Sequence, residues 1–259
     1  MENEEAEDFF NPELFINQEY VLETFKFGEL EQRLFCAKSA VTDFDLTGQI
    51  VWPASQILSW LLIAKADAFV KGSTVLEVGA GCGLVGLVSA QLGAGEVVLT
   101  DGSEIVVKLL DKTIAALPGD SDCAITSALL PWGSREHVEA LFERLPEAHP
   151  NIIVGADVFQ TTFGRPSLLL GTVKRVLRRS FQNRKPRYAG EYAFYGSVGM
   201  RKGTDEELIR KCAEEEAFQI FEVDLPSFLP PDLPREAFSQ LEIRVFRFTL
   251  SCEVLEGSS

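Results

Sequence analysis

Residues Thr74 to Gly83 read TVLEVGAGCG, a β-branched apolar run that carries Glu77 near its end and passes into glycines at 79, 81 and 83. Glycines spaced in this way let a backbone turn sharply and approach a ligand closely. LVGLVSAQLG follows with the apolar content of a buried helix and closes at Gly93, and EVVLTD then reads as a second strand that ends in Asp101. Strand, glycine loop, helix, strand and acid make one βαβ unit, which commits the chain to a parallel sheet covered by helices. The glycines suit a nucleotide-type cofactor.

They do not choose it. Gly81, Gly83 and Gly86 also satisfy GxGxxG, and Asp101 lies about 20 residues on, as dinucleotide binding requires. Two features weigh against that reading: Glu77 stands before the first glycine, and a long segment precedes the strand.

From Thr74 onward strand and helix patterns alternate. The periodicity predicts strands at 74–78, 96–100, 122–127, 151–156, 190–197, 217–224 and 241–250, with helices near 83–92, 103–117, 135–144, 165–180 and 204–216. The last two strands lack a helix between them and are joined by the proline-rich PSFLPPDLP, so they should pair antiparallel. Upstream, residues 20–35 read as a hairpin around Gly28, and Pro53 opens a helix whose Ile57, Leu58, Leu61 and Leu62 should cover the sheet. These patterns divide the chain into an acidic tail (1–18), an extension of hairpin plus helix that packs on the core (19–72), the cofactor-binding domain (73–253) and a short tail (254–259).

A chain of 259 residues with 46% apolar content suffices for one large α/β domain. The N-terminus lacks a basic start with an apolar core, and no run of 18 apolar residues occurs, so the expectation is a soluble, cytoplasmic protein, with the nucleus also open to it. Five cysteines without CxxC spacing argue against a disulfide framework or a zinc site, and His137 and His149 build no metal site or nucleophile and base pair. A net charge of −15 disfavours nucleic acid and favours a basic protein partner. The one reversal of sign, KRVLRRSFQNRKPR from Lys174 to Arg187, reads as the exposed face of a helix whose apolar stripe is Val173, Val176, Leu177 and Phe181. RNA or an acidic partner is its other reading.

Three further stretches accompany the glycine loop in order: TGQIVWPA at 47–54, LPWG at 130–133 and GADVFQ at 155–160. With the loop, they make the chain similar to methyltransferase family 16, the seven-β-strand protein-lysine methyltransferases that use S-adenosylmethionine. The resemblance runs from about Tyr20 to Leu250. It implies a Rossmann-like class I methyltransferase sheet of seven strands, mostly parallel with an antiparallel last strand, helices on both faces and an N-terminal β-hairpin.

It also implies a cofactor site of Trp52, Glu77, Gly79, Ala80, Gly81, Gly83, Asp101, Gly102, Trp132 and Ala156. Glu77 would face the cofactor's α-amino group; its alternative is a strand-end carboxylate satisfied by loop amides. Asp101 would accept both ribose hydroxyls, or else cap the helix that begins near Ser103. Trp132 would line the adenine and Trp52 close the other side, unless either indole is simply core. Asp157 would anchor and orient the acceptor amine, with Phe159 beside it. In the family this acid opens a DxxY motif, whereas DVFQ has Gln160 where the tyrosine is expected. Phe163 and Tyr195 are other candidates for an aromatic wall. The expected activity is methyl transfer to the ε-amine of lysine in a protein bearing a basic or lysine-rich segment, without a catalytic metal. Transfer to arginine, histidine, an N-terminus or a small amine, and a noncatalytic cofactor-binding role, are the alternatives.

Overall fold

Along each central strand, successive residues enter opposite cores, which is why the sequence shows continuous Val, Ile and Leu runs rather than alternation. The computed structural model describes residues 20–38, 44–119, 122–145, 149–161, 166–183, 190–201, 204–231, 233 and 242–257. The acidic opening 1–18, Phe163 and residues 184–187 of the basic segment lie outside the described residues.

A hairpin of β1 (Tyr20–Phe27) and β2 (Leu30–Ala37) leads to a 3₁₀ turn (Phe44–Gln49) and α1 (Pro53–Ala64). Then come β3 (Thr74–Val78), α2 (Leu84–Gln91), β4 (Glu96–Asp101), α3 (Glu104–Ala115), β5 (Ala124–Leu129), α4 (Arg135–Arg144), β6 (Ile152–Ala156) and α5 (Pro166–Gln182). The chain closes with β7 (Ala193–Met200), α6 (Glu206–Glu215), β8 (Gln219–Val223), β9 (Glu242–Thr249) and α7 (Cys252–Glu256). The seven-stranded sheet runs β5-β4-β3-β6-β7-β9-β8. Pairs from β5 through β7 are parallel, and β9 is antiparallel to both of its neighbours. The sheet class, the antiparallel closing pair and the hairpin extension are as the sequence predicts.

On β6, Ile152 and Val154 join the core beneath α1, α2 and α3, while Ile153 joins the core beneath α4, α5 and α6. All three are fully buried, each contributing about 1.5–3 kcal/mol of transfer free energy. The predicted face of α1 is in place: Ile57, Leu58, Leu61 and Leu62 are at most 2% exposed. Gly86 sets the spacing of α2, because a Cβ there would lie 2.3 Å from Leu99 Cδ2. The hairpin docks on this layer through Gln91 Nε2, which donates to Gln32 Oε1 at 2.5 Å, and through Phe35 N, which donates to Thr113 Oγ1 at 3.2 Å.

Several boundaries differ from expectation by one to three residues. β5 starts at Ala124 rather than 122. β7 occupies Ala193–Met200 rather than 190–197, because Ser197 to Met200 pair with β9 across Glu242 to Val245. Of its glycines, Gly196 is paired on both sides, opposite Gly155 and Phe246, while Gly199 is paired with Ile243 of β9. Where the sequence reads a short tail from 254, residues 254–256 belong to α7, and Leu255 is 4% exposed and joins the second core. In the described part of the basic segment, Val173, Val176 and Leu177 are fully buried, while Lys174 pairs with Glu216 and Arg179 with Glu139.

Candidate active site

The strand order reverses direction between β3 and β6, so the connections leaving their carboxyl ends diverge and open a crevice, the usual ligand position of an open α/β sheet. A cleft of about 520 Å³ lies there, within the range of small-molecule sites.

Its floor is the loop between β3 and α2. Ala80 N donates to Thr100 O at 2.9 Å and Gly81 N to Asp101 Oδ2 at 3.1 Å, which ties the loop to the tip of β4. Gly81 has φ +53, and a Cβ there would sit 2.9 Å from the carbonyl oxygen of Gly48, so both conformation and space demand glycine. The other oxygen of Asp101, Oδ1, accepts from Ser103 N at 3.0 Å. Burial pushes the Asp101 carboxyl above the usual carboxylate range, and amides of Gly81, Ser103 and Gly102 partly offset that. Glu77 is 1% exposed and accepts from Gly86 N at 2.7 Å, an amide of α2 rather than of the loop. Burial raises its carboxyl to about 8, against the pull of the Gly86 and Val85 amides.

Two indoles form walls. Trp52 donates from Nε1 to Thr47 O at 2.9 Å, which fixes the segment before α1. Trp132 follows β5, and a Cβ on Gly79 would lie 3.0 Å from its Cζ2. The adjacent Gly133 N donates to Thr172 Oγ1 at 2.8 Å, so α5 holds the Trp132 turn. Leu168, 46% exposed, completes the lining on that side.

At the tip of β6, Asp157 adopts φ +60, a left-handed conformation that Asp tolerates better than most residues. It is 8% exposed, and both carboxylate oxygens are engaged. Oδ1 accepts from Gly199 N at 3.2 Å, and Oδ2 pairs with Arg201 at 2.5 Å. The Arg201 guanidinium also lies 4.7 Å from the Trp52 ring centroid, a cation–π arrangement. Gln160, where the resemblance leads one to expect tyrosine, is 3% exposed and donates to Thr204 Oγ1 at 2.6 Å.

The cleft thus brings together Trp52, Glu77, Gly79, Ala80, Gly81, Asp101, Gly102, Trp132, Ala156 and Asp157. Two expected residues lie elsewhere. Gly83 caps the start of α2 with φ +79, outside the cleft lining, and a Cβ there would meet Leu110 and Leu99. Phe159 is 1% exposed in the second core, its ring 5.6 Å from that of Phe248 and close over Gly196. Tyr195 faces the first core, stacked on Phe69 with its hydroxyl on Glu191. Arg201 was not foreseen, because it follows a strand whose end the sequence placed too early. Cys82, Ser103, Val106 and Pro131 also line the cleft without a signal beyond their place beside motif residues.

The arrangement is that of the class I methyltransferase fold. A solved S-adenosylmethionine-dependent methyltransferase from Agrobacterium tumefaciens is similar over 89% of this chain and 70% of its own, with a TM-score of 0.51 at 14% identity. Residues 38–194 match the profile of the lysine methyltransferase family, and the chain belongs to that family. Protein N-lysine methyltransferase METTL21A of Danio rerio is 33% identical over 46% of this chain and 51% of its own length. Protein N-terminal and lysine N-methyltransferase efm7 of Aspergillus fumigatus is 31% identical over 52% of this chain and 53% of its own. The chain therefore spans about half the length of the curated relatives it matches.

Proposed function

We propose that this protein binds S-adenosylmethionine in the cleft and transfers its methyl group to the ε-amine of a lysine in a protein substrate. The donor set fits the cofactor. The Asp101 carboxylate takes the amides of Gly81, Ser103 and Gly102, and its two oxygens together offer about four lone-pair sites, leaving acceptor capacity for a ribose hydroxyl. Glu77 suits an ammonium, and the indole of Trp132 suits a purine face. When bound, S-adenosylmethionine supplies a methyl carbon on a positively charged sulfur, which leaves as a thioether as the acceptor nitrogen forms the new N–C bond.

The observation that carries this reading is the placement of Asp157 in the same cleft as Glu77, Asp101 and Trp132. A carboxylate at that point orients an incoming amine by hydrogen bonding. Family membership supports an amine acceptor, and the net charge of −15 supports a basic or lysine-bearing partner. Action in the cytoplasm, with the nucleus also open to it, belongs to the same proposal.

The test is transfer of radiolabelled methyl into proteins of a cell extract by wild type, Asp101→Ala and Asp157→Ala. The expected result is a labelled band lost in both variants, with methyl-lysine recovered on hydrolysis. Label recovered only at a protein N-terminus would instead favour the N-terminal activity in the name of the efm7 relative. Cofactor binding without any label would overturn methyl transfer to protein.

A further inference from the structure

An acid that holds an amine also favours its ammonium form, which has no lone pair to donate. A carboxylate within about 4–6 Å raises an amine's pKa by roughly 1–3 units above its ordinary value near 10.4. Asp157 by itself would therefore slow the reaction it orients. The structure supplies a counterweight. Arg201 at the end of β7 pairs with Asp157 Oδ2, and the two side chains are 27% and 5% exposed, so solvent screens the pair only partly.

This contact is built rather than incidental. Thr204 Oγ1 accepts from Gln160 Nε2 at 2.6 Å and donates to Gly199 O at 3.1 Å, while Thr204 N donates to Arg201 O at 2.9 Å. Gly199 N in turn donates to Asp157 Oδ1 at 3.2 Å. Gln160 and Thr204 thus tie Gly199 and Arg201 to the tip of β6, and the Trp52 ring supports the guanidinium from another side. Among the described residues, the ionisable groups that line the cleft beside Asp157 are Glu77 at β3, Cys82 in the loop and Asp101 at β4, while Arg201 reaches Asp157 from outside that lining; Ser55 of α1 and Leu168 of α5 carry no charge.

We propose that Arg201 is the positioning residue of the acceptor end: it neutralises Asp157, so that the carboxylate orients the incoming amine without holding it as an ammonium. The acceptor ammonium gives its proton to solvent. The neutral nitrogen then forms the N–C bond with its lone pair, and the C–S electron pair stays with sulfur. This role rests on the methyl-transfer reading above and names a residue that acts through Asp157 rather than on the reacting atoms.

Single-turnover rates against pH test it, with radiolabelled S-adenosylmethionine at saturation and the labelled extract band as acceptor, for wild type, Arg201→Gln and Arg201→Lys. Calorimetric binding of S-adenosylhomocysteine serves as a readout independent of turnover, and all three proteins should bind it alike. The acid limb of the Arg201→Gln profile should move up by about one pH unit or more, with the rate near neutrality down roughly tenfold and largely recovered at high pH. Arg201→Lys keeps a positive charge beside Asp157 but loses the planar stack on Trp52, so its acid limb should stay at the wild-type pH even where its rate falls.

An equal loss at every pH would make Arg201 merely structural and overturn the proposal. So would a faster Arg201→Gln enzyme near neutrality, because Arg201 would then be a plug that the acceptor must displace. A wild type that binds S-adenosylhomocysteine but labels no protein at any pH would overturn the methyl-transfer reading and this role with it. An active wild type with an unshifted variant would overturn this role alone.

Discussion

The amide of Gly81 donates to Asp101 Oδ2 across 3.1 Å, so the glycine loop and the acid at the next strand tip form one hydrogen-bonded unit. Asp101→Ala should therefore both remove the ribose acceptor and release the loop. We expect at least a tenfold loss of S-adenosylhomocysteine affinity by calorimetry, in line with a charged hydrogen bond worth about 1.5–3 kcal/mol. Asp101→Asn keeps one carbonyl acceptor and should fall between the two. Equal affinity in all three proteins would remove Asp101 from the cofactor site.

Glu77 gives cofactor binding a pH dependence. Its carboxyl is held at about 8, so at neutrality it is mostly protonated in the free protein. If an ammonium docks against it, docking favours the ionised form and releases a proton. Affinity should then rise as pH increases from 6 to 8.5, and Glu77→Gln should flatten the rise. Calorimetry in buffers of different ionisation enthalpy measures the proton released, and zero release in the wild type would contradict the assignment.

The same group affects stability with a definite sign. The folded carboxyl titrates near 8 and the unfolded one near 4.5, so between those values the folded state holds the extra proton. Stability should fall as pH rises through that window, by an amount on the order of 5 kcal/mol at full width. Urea unfolding of wild type and Glu77→Gln at pH 5 and pH 8 checks this. The variant should lose most of the difference.

Phe159→Ala separates core from site. The ring packs against Phe194 and Phe248 in the second core, so truncation should cost about 3–5 kcal/mol of stability. S-adenosylhomocysteine affinity of the folded fraction should change by less than about threefold, which is under 1 kcal/mol. A large loss of affinity with unchanged stability would return Phe159 to the cleft.

Gly86→Ala asks whether close packing of α2 decides its place. The added methyl would meet Leu99 Cδ2 at 2.3 Å and Glu77 Oε2 at 2.9 Å. Overpacking of this kind costs about 1–3 kcal/mol, against the small gain alanine brings to a helix. The midpoint of urea unfolding should drop.

Much of this was legible in the sequence because the relevant signals are local. The run from Thr74 to Asp101 announces its strands by β-branched content, its loop by glycines and its helix by apolar density, and β3, α2 and β4 form within a residue of those bounds. TGQIVWPA and LPWG likewise deliver Trp52 and Trp132 to the cleft. Phe159 was not legible, since its direction depends on how the chain turns after Asp157. That turn takes a positive φ in a residue other than glycine, which no pattern of residue types foretells.

What the chain itself determined is the alternation of strand and helix and the acids at the strand tips, because hydrophobic period and glycine placement act over a few residues. What only the tertiary structure decided is which distant groups meet. Arg201 reaches Asp157 because β7 pairs beside β6 with Gly155 opposite Gly196, and because Thr204, held by Gln160, bonds to both Gly199 and Arg201. Pairing across a sheet is set by strand order and register, and a charge partner 44 residues away leaves no local mark in the sequence.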